Sequence, residues 1–192
     1  MTELAVLGLG SNLGDRESNL AAAITSLGIY NDISDINSAS FYESEPLYET
    51  NQPKFLNTVI SCNTEFSAFQ LLDAVQHTEL LLGRPKERRE NQPRIIDIDI
   101  LCYGEVFIET DELIIPHPDI VNRKFVLYPF CELLPDYKIE KIGKTISELL
   151  NICPDQSQVV KHVLEKTHEK LELCCDRRCY RSWNNQCGKI TF

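Results

Sequence analysis

Residues 83–101 read GRPKERRENQPRIIDIDIL, and they concentrate the groups most able to do chemistry. Five cationic side chains, Arg84, Lys86, Arg88, Arg89 and Arg94, are opposed by only Glu87 and Glu90, in a chain whose formal charge is −10. Directly after them, Ile96, Ile98 and Ile100 alternate with Asp97, Asp99 and Leu101, the period of a strand. Side chains alternate across a strand, so Asp97 and Asp99 project from one face with Cα atoms roughly 6.5–7 Å apart. Two carboxylates so placed repel unless a cation lies between them. Mg²⁺ suits the spacing, because it takes a few carboxylate oxygens and completes its shell with water and substrate phosphates. Cations beside such a pair are the parts needed for phosphoryl-type transfer from a nucleotide. An exposed Asp-x-Asp strand next to a solvated charged loop has the same pattern, so this stretch alone leaves both readings open.

A second group of residues narrows the choice. In Phe55–Thr64, Leu56, Ile60 and Cys62 share one face and read as core, while Phe55 and Asn57 share the other. The segment before it, Ser44 to Pro53, holds two prolines and polar residues and reads as a loop of a length that is often functional. An aromatic ring and an amide on an open face can stack on, and hydrogen-bond to, a flat heterocycle. A core phenylalanine with an asparagine capping the loop is the plainer alternative.

The elements that must position these residues follow from the rest of the pattern. Leu4 to Gly10 is a short apolar run ending in glycine and predicts a buried strand. Leu20, Ile24 and Leu27 recur at helical spacing, with N-cap residues before them and Gly28 after. The Gly8-x-Gly10 pair invites a dinucleotide-binding reading, but the third glycine and the acidic strand end are missing. Asp35 to Glu43 predicts a strand. Ser67 predicts the cap of a helix to about Leu82, ended by Gly83. Val106 to Glu109 is expected to pair back on the Asp-x-Asp strand across Gly104-Glu105. Two prolines flank His117, a helical piece runs from Asp119 to near Pro135, and Thr145 to Leu150 reads as a short last helix. The order strand, helix, strand, strand, helix, strand through Tyr103 is the split β-α-β pattern of an α+β, ferredoxin-like fold with a mainly antiparallel sheet.

At 192 residues the chain is expected to form one domain with an appendage. There is no apolar run long enough for a membrane span and no leader-like start, so a cytoplasmic location is the expectation. The acidic balance disfavours nucleic acid and anionic membrane as partners. Through residue 150 there are 12 basic and 24 acidic side chains, and after it 7 and 5. Cys62, Cys102 and Cys131 sit singly in apolar stretches and read as core. Cys174, Cys175, Cys179 and Cys187 crowd the tail with a spacing that matches no standard zinc site, so a metal element and free thiols both remain readings. Val159 to Leu173 has a helical pattern, which divides the chain into a domain at 1–150 and an extension at 151–192.

Taken together, GLGSNLGDR, FYESEPL with FLNTV, LGRPKERRENQPRIIDIDILCYG and IPHPDIVNRKFVLYPF resemble, in that order, the 6-hydroxymethyl-7,8-dihydropterin pyrophosphokinases of folate biosynthesis. The resemblance covers about residues 3 to 150. It implies transfer of pyrophosphate from ATP to the pterin hydroxymethyl group, leaving AMP. It also implies two Mg²⁺ ions on Asp97 and Asp99. Arg84, Arg94, His117 and Arg123 would meet the phosphates, and Gln76, Glu79 and Ile100 would border the nucleoside. Phe55 and Phe125 would sandwich the pterin, while Asn57 and the backbone of Ser44 and Leu47 would read its polar edge. Asn91-Gln92 replaces a tryptophan-glycine of many members, and Pro118 an aromatic residue of some. A catalytically weak binding subunit with a partner-recruiting tail is the competing expectation, and association with dihydropteroate synthase stays open.

Overall fold

The computed structural model describes residues 2–47, 51–84 and 92–163. Its elements are β1 (Glu3–Ser11), α1 (Arg16–Leu27), β2 (Ile33–Ser38), β3 (Tyr42–Ser44), β4 (Phe55–Thr64), α2 (Ala68–Leu81) and β5 (Asp97–Tyr103). After these come β6 (Ile108–Glu109), β7 (Ile114–Ile115), a 3₁₀ turn (Ile120–Asn122), α3 (Lys124–Leu133), β8 (Lys138–Ile139), β9 (Lys144–Thr145), α4 (Ile146–Ile152) and β10 (Val159–Lys161).

The main sheet runs β10-β3-β4-β1-β5 with β2 also on β4, and every pairing is antiparallel. This is the expected α+β, ferredoxin-like arrangement. Alternation along β1 sends Ala5, Leu7 and Leu9 to one face, where they join Leu56, Ile60, Ile98 and Ile100 under α1 and α2. Val6 points the other way and joins Val59, Leu101 and Cys102 under α3 and α4. The sheet is therefore covered on both faces, but on the α3 side only along part of its length. Beyond Val6, β1 presents Gly8 and Gly10 on that face. With no side chains there, the sheet surface stays bare, and Asp97 and Asp99 share this open end.

Register completes the alignment. Gly10 lies opposite Asn57 on one side and Asp97 on the other, and Gly8 lies between Val59 and Asp99. The strand expected over 35–43 is broken into β2 and β3. Ala39 N–H donates to Val59 O (2.9 Å), and the register on β4 shifts between Ser34 and Asn37.

Capping holds the helices, at Ser67 as anticipated from local sequence. Ser67 and Gln70 form a reciprocal capping box at α2, and Thr145 with Glu148 forms another at α4. Asp15 caps α1 by accepting from Ser18 N–H (3.1 Å). Arg123 gives α3 no side-chain cap; Asp155 does so from outside, accepting from Lys124 N–H (2.9 Å).

Two expectations are corrected. Val106 to Glu109 does not pair back on β5; β6 pairs with β7 instead. Val159–Lys161 is not the start of a helix. It is β10, paired with β3 so that Val159 faces Ser44, and the packed body therefore runs past residue 150. Adjacent β-branched valines suit a strand better than a helix, and the helical pattern came from residues 164–173, which lie outside the described residues. The four tail cysteines lie outside them too. Cys62, Cys102 and Cys153 are buried free thiols, and Cys131 is half-buried.

Candidate active site

A cavity of about 360 Å³ opens where the α3 side of the sheet is bare. Gly8 and Gly10 form its floor, Phe55 and Asn57 one wall, Asp97 and Asp99 the opposite wall, and Arg123 and Phe125 the side toward α3. Ser44 and Leu47 from the segment after β3 also line it, as do Arg84 and Arg94. A Cβ built on Gly10 would come within 3.1 Å of Asn57 Oδ1, so the floor is shaped by the lack of a side chain there.

The carboxylate side is held by cations from both ends of the charged segment. Arg84 leaves the end of α2 just past Gly83, whose φ of +94° lets the helix stop and the chain turn. Its Nη1 donates to Asp97 Oδ1 and also to Glu79 Oε1. Arg94 Nη1 donates to the other oxygen, Asp97 Oδ2, at 2.5 Å. One carboxylate thus joins two arginines that lie ten positions apart in the sequence. Glu79, only 2% exposed, accepts in addition from Ile98 N–H at 2.8 Å, which ties α2 to the edge strand β5.

Asp99 stands differently. Its carboxyl is pushed above the usual carboxylate range, by burial first and by the neighbouring Asp97 second, against the pull of His117, Arg123 and Arg84. Burial lowers the His117 imidazole, with the Asp99 charge acting the other way. His117 Nδ1 accepts from Asp119 N–H (3.2 Å), which places the proton of the neutral ring on Nε2. Arg123 pairs with Asp119 Oδ2 (2.6 Å) and lies 5.9 Å from the centre of the Phe125 ring. Its Nε is buried and has no acceptor among the described residues. A raised carboxyl beside a second carboxylate, in a cavity that Arg123 also lines, fits a divalent cation carrying an anionic oxygen ligand.

On the other wall, Asn57 Nδ2 donates to Ser44 Oγ (2.9 Å) and Tyr42 O (3.4 Å). With both donors directed there, Oδ1 faces the Gly10 side of the cavity as an acceptor. Of the remaining nucleoside candidates, Gln76 is exposed on α2, and the Ile100 side chain is buried in the α1–α2 core. Neither Gln76, Glu79, Ile100 nor His117 lines the cavity; they lie around the edge strand beside it.

Three residues have no individual role in the sequence reading, although all fall within GLGSNLGDR, one of the motifs that carry the resemblance. Gly8 and Gly10 otherwise read as a failed dinucleotide motif. Asn12, buried at 1%, accepts from Arg94 N–H (2.7 Å) and donates to Gln52 Oε1 (3.0 Å), while its own N–H donates to Arg94 O (3.1 Å). It clips the base of the arginine segment to the segment after β3. A polar residue buried between two turns is visible only once both turns are placed.

A ferredoxin-like α+β sheet whose bare end sets arginines and paired carboxylates opposite an aromatic–amide wall defines a class of proteins able to hold a polyphosphate against a flat ring. Comparison with known proteins is more specific. The family model of 7,8-dihydro-6-hydroxymethylpterin-pyrophosphokinase (HPPK) matches residues 6–135. The 2-amino-4-hydroxy-6-hydroxymethyldihydropteridine pyrophosphokinase of Bacillus subtilis is 39% identical over 164 residues, 85% of this chain and 98% of that protein. The protein of the same name from Haemophilus influenzae is 36% identical over 155 residues, 81% of this chain and 96% of its own. An HPPK–DHPS chain solved in complex with substrates superposes with a TM-score of 0.61 at 15% identity, and a Plasmodium falciparum HPPK–DHPS with 0.62 at 17%. Each alignment covers 79% of this chain, which spans 43% and 45% of those two chains, and at such identity the likeness concerns the fold alone. The chain belongs to the 7,8-dihydro-6-hydroxymethylpterin-pyrophosphokinase family.

Proposed function

We propose that this cavity moves the β,γ-pyrophosphoryl group of ATP onto the hydroxymethyl oxygen of 6-hydroxymethyl-7,8-dihydropterin, releasing AMP. The observation that carries the reading is the convergence of Arg84 and Arg94 on Asp97, across a side-chain-free floor from Phe55 and Asn57. The pterin ring would lie between Phe55 and Phe125. Asn57 Oδ1 would accept from its ring-edge donors, and the backbone of Ser44 and Leu47 would meet the rest of the polar edge. This orients the hydroxymethyl group toward the carboxylates.

Asp97 and Asp99 would hold Mg²⁺, two ions in the reading from the family, which neutralises phosphate charge and lowers the pKa of the attacking hydroxyl. The raised Asp99 carboxyl fits this role, since a cation would reverse the cost of its charge. Arg84 and Arg94 are paired with Asp97. Phosphate oxygens offer them an alternative anion with matching fork geometry, so both would turn from Asp97 to the phosphates as ATP enters. Arg123, through its unpartnered Nε, and His117, through Nε2–H, would donate to the same oxygens. Ile100 would serve the nucleoside through the outer backbone of edge strand β5, with Gln76 nearby, while Glu79 would act through Arg84.

ATP as donor fits a cytoplasmic location, and no helix among the described residues is long and apolar enough to cross a membrane. Fused HPPK–DHPS relatives support hand-over of the product to dihydropteroate synthase. The test is AMP formation from ATP, with and without the pterin and with Mg²⁺ or a chelator. AMP should appear only when pterin and Mg²⁺ are both present. ATP cleavage that ignores the pterin would overturn the assignment.

A further inference from the structure

We propose that Arg16 is a positioning residue for the pterin side of the cavity, an inference that rests on the pterin reading above. β3 ends at Ser44 and β4 begins at Phe55, and these two residues face each other across the two strands, so they are the roots of the segment between them. Its members Glu45, Pro46, Leu47 and Gln52 line the cavity. Whatever fixes the two roots of this segment fixes the wall they carry.

Arg16, the first residue of α1, grips both roots with one guanidinium. Its Nη2 donates to Glu43 Oε2 (3.0 Å), one residue before Ser44. Its Nη1 donates to Lys54 O (2.9 Å), one residue before Phe55. Lys54 Nζ adds to the clasp, reaching Glu45 Oε1 at 2.9 Å and Glu43 Oε1 at 3.5 Å. The planar fork of arginine suits two acceptors at a fixed separation, whereas a lysine ammonium is a point charge on a flexible stem. The Arg16 and Glu43 side chains are 26% and 29% exposed, so the pair is shielded from the full screening that makes open surface pairs weak.

Arg16 does not itself line the cavity. Its influence passes through chain neighbours that do. Ser44 is the acceptor that fixes the Asn57 amide, and Phe55 is the stacking wall. The Arg84–Asp97–Arg94 cluster lies on the far side of the Gly8–Gly10 floor, where its side chains bond to one another and to Glu79. Loss of Arg16 therefore loosens the pterin wall directly and reaches the phosphate side only through the Asn12 link.

The experiment uses the full chain and measures AMP formation while pterin and ATP are varied separately, for wild type, Arg16→Ala, Arg16→Lys, Glu43→Gln and the Arg16→Ala/Glu43→Gln pair. Arg16→Ala should raise the pterin KM about tenfold, the worth of one charge-assisted hydrogen bond, with ATP KM changed less than about twofold. Arg16→Lys should recover part of the loss, since it restores the charge at Glu43 but not the second N–H at Lys54 O. The double variant should be no worse than Arg16→Ala, because both remove the same link. A wild-type pterin KM in Arg16→Ala, an equal rise in both KM values, or full recovery by lysine would overturn the proposal. Should Arg16→Ala fail to fold, Arg16→Lys and Glu43→Gln read the same selectivity. A wild-type chain that forms no pterin-dependent AMP would instead sink the pterin reading on which this one rests.

Discussion

Asp97 and Asp99 share a face, yet their surroundings differ enough that substitution should separate them. Both should be needed for turnover: Asp97→Ala and Asp99→Asn should each lower kcat on the order of 10²-fold or more, as loss of a group that stabilises transferring charge does. Their effects on the fold should be opposite. Asp97 neutralises two half-buried arginines, so Asp97→Ala should lower the Tm of the ligand-free chain. Asp99 carries a raised carboxyl, so its folded form resists ionisation and loses stability as pH rises above the unfolded value of about 3.9. Asp99→Asn should therefore raise Tm at neutral pH, a gain that closes as pH falls to the ordinary carboxylate range. Thermal unfolding without ATP or Mg²⁺, across pH, checks both signs. A second pair separates binding from chemistry. Arg94→Ala should lower kcat far more than it weakens substrate binding, whereas Phe55→Ala should weaken pterin binding by about 1–3 kcal/mol on stacking and burial grounds. Steady-state kinetics that showed the reverse would exchange the roles given to these residues. Gly10→Ala should also weaken pterin binding, because its methyl would press on Asn57 Oδ1 and turn the amide; titration of the pterin against this variant reads it directly.

At the scale of elements, α3 carries Phe125 at its start, and its first N–H groups need acceptors. Asp155, thirty-one residues on, supplies one by bonding Lys124 N–H, and it also accepts from Ser157 N–H at 2.8 Å. Burial pushes the Asp155 carboxyl up, but these backbone bonds, together with the Ser157 side chain and the Lys124 charge, leave it below the usual range. A carboxylate depressed in the folded state contributes stability above the unfolded pKa and loses it as pH falls through the folded one. Asp155→Ala should accordingly cost about 1 kcal/mol at neutral pH, the usual worth of a cap, and progressively less in acid. Denaturant titrations at neutral and acidic pH measure this, and an unchanged midpoint at neutral pH would remove Asp155 as a cap. The same stretch of chain then forms β10, and His162 just after that strand reaches Glu17 Oε1 at 2.5 Å. The end of the packed body is thus tied to both α3 and α1.

At the scale of the molecule, the cavity is bordered by two segments from opposite ends of the sheet, and Asn12 bonds to both. Most of the segment between Arg84 and Arg94, residues 85–91, lies outside the described residues, but its two ends meet at Asp97. If ATP with Mg²⁺ draws both arginines to its phosphates, it reorganises one border of the pterin pocket. Each substrate should then tighten the other by the same factor, because coupling free energy is reciprocal. Asn91 in place of tryptophan should keep that factor smaller than in relatives that have one. Calorimetry of pterin binding with and without a non-hydrolysable ATP analogue gives the factor, and equal affinities would remove the coupling argument.

Much of this was legible in local sequence. Alternation over 96–101 set the two aspartates on one face, Ser67 announced the start of α2, and the alternation of Phe55–Thr64 placed Phe55 and Asn57 away from Leu56, Ile60 and Cys62. These are properties of neighbouring residues: side-chain direction follows from φ and ψ, and a cap is satisfied within one turn. What joined these faces into one site was not local. That Gly10 falls between Asn57 and Asp97 depends on strand register. The meeting of Arg84 and Arg94 on one carboxylate, the Arg16 clasp and the Asp155 cap each join groups far apart in the chain. The helical pattern of 159–173 hides the short strand Val159–Lys161 for the same reason, since its strand geometry is completed by pairing with β3. Periodicity is written along the chain, whereas register and buried polar pairing are decided when the sheet closes and every desolvated donor must find its acceptor.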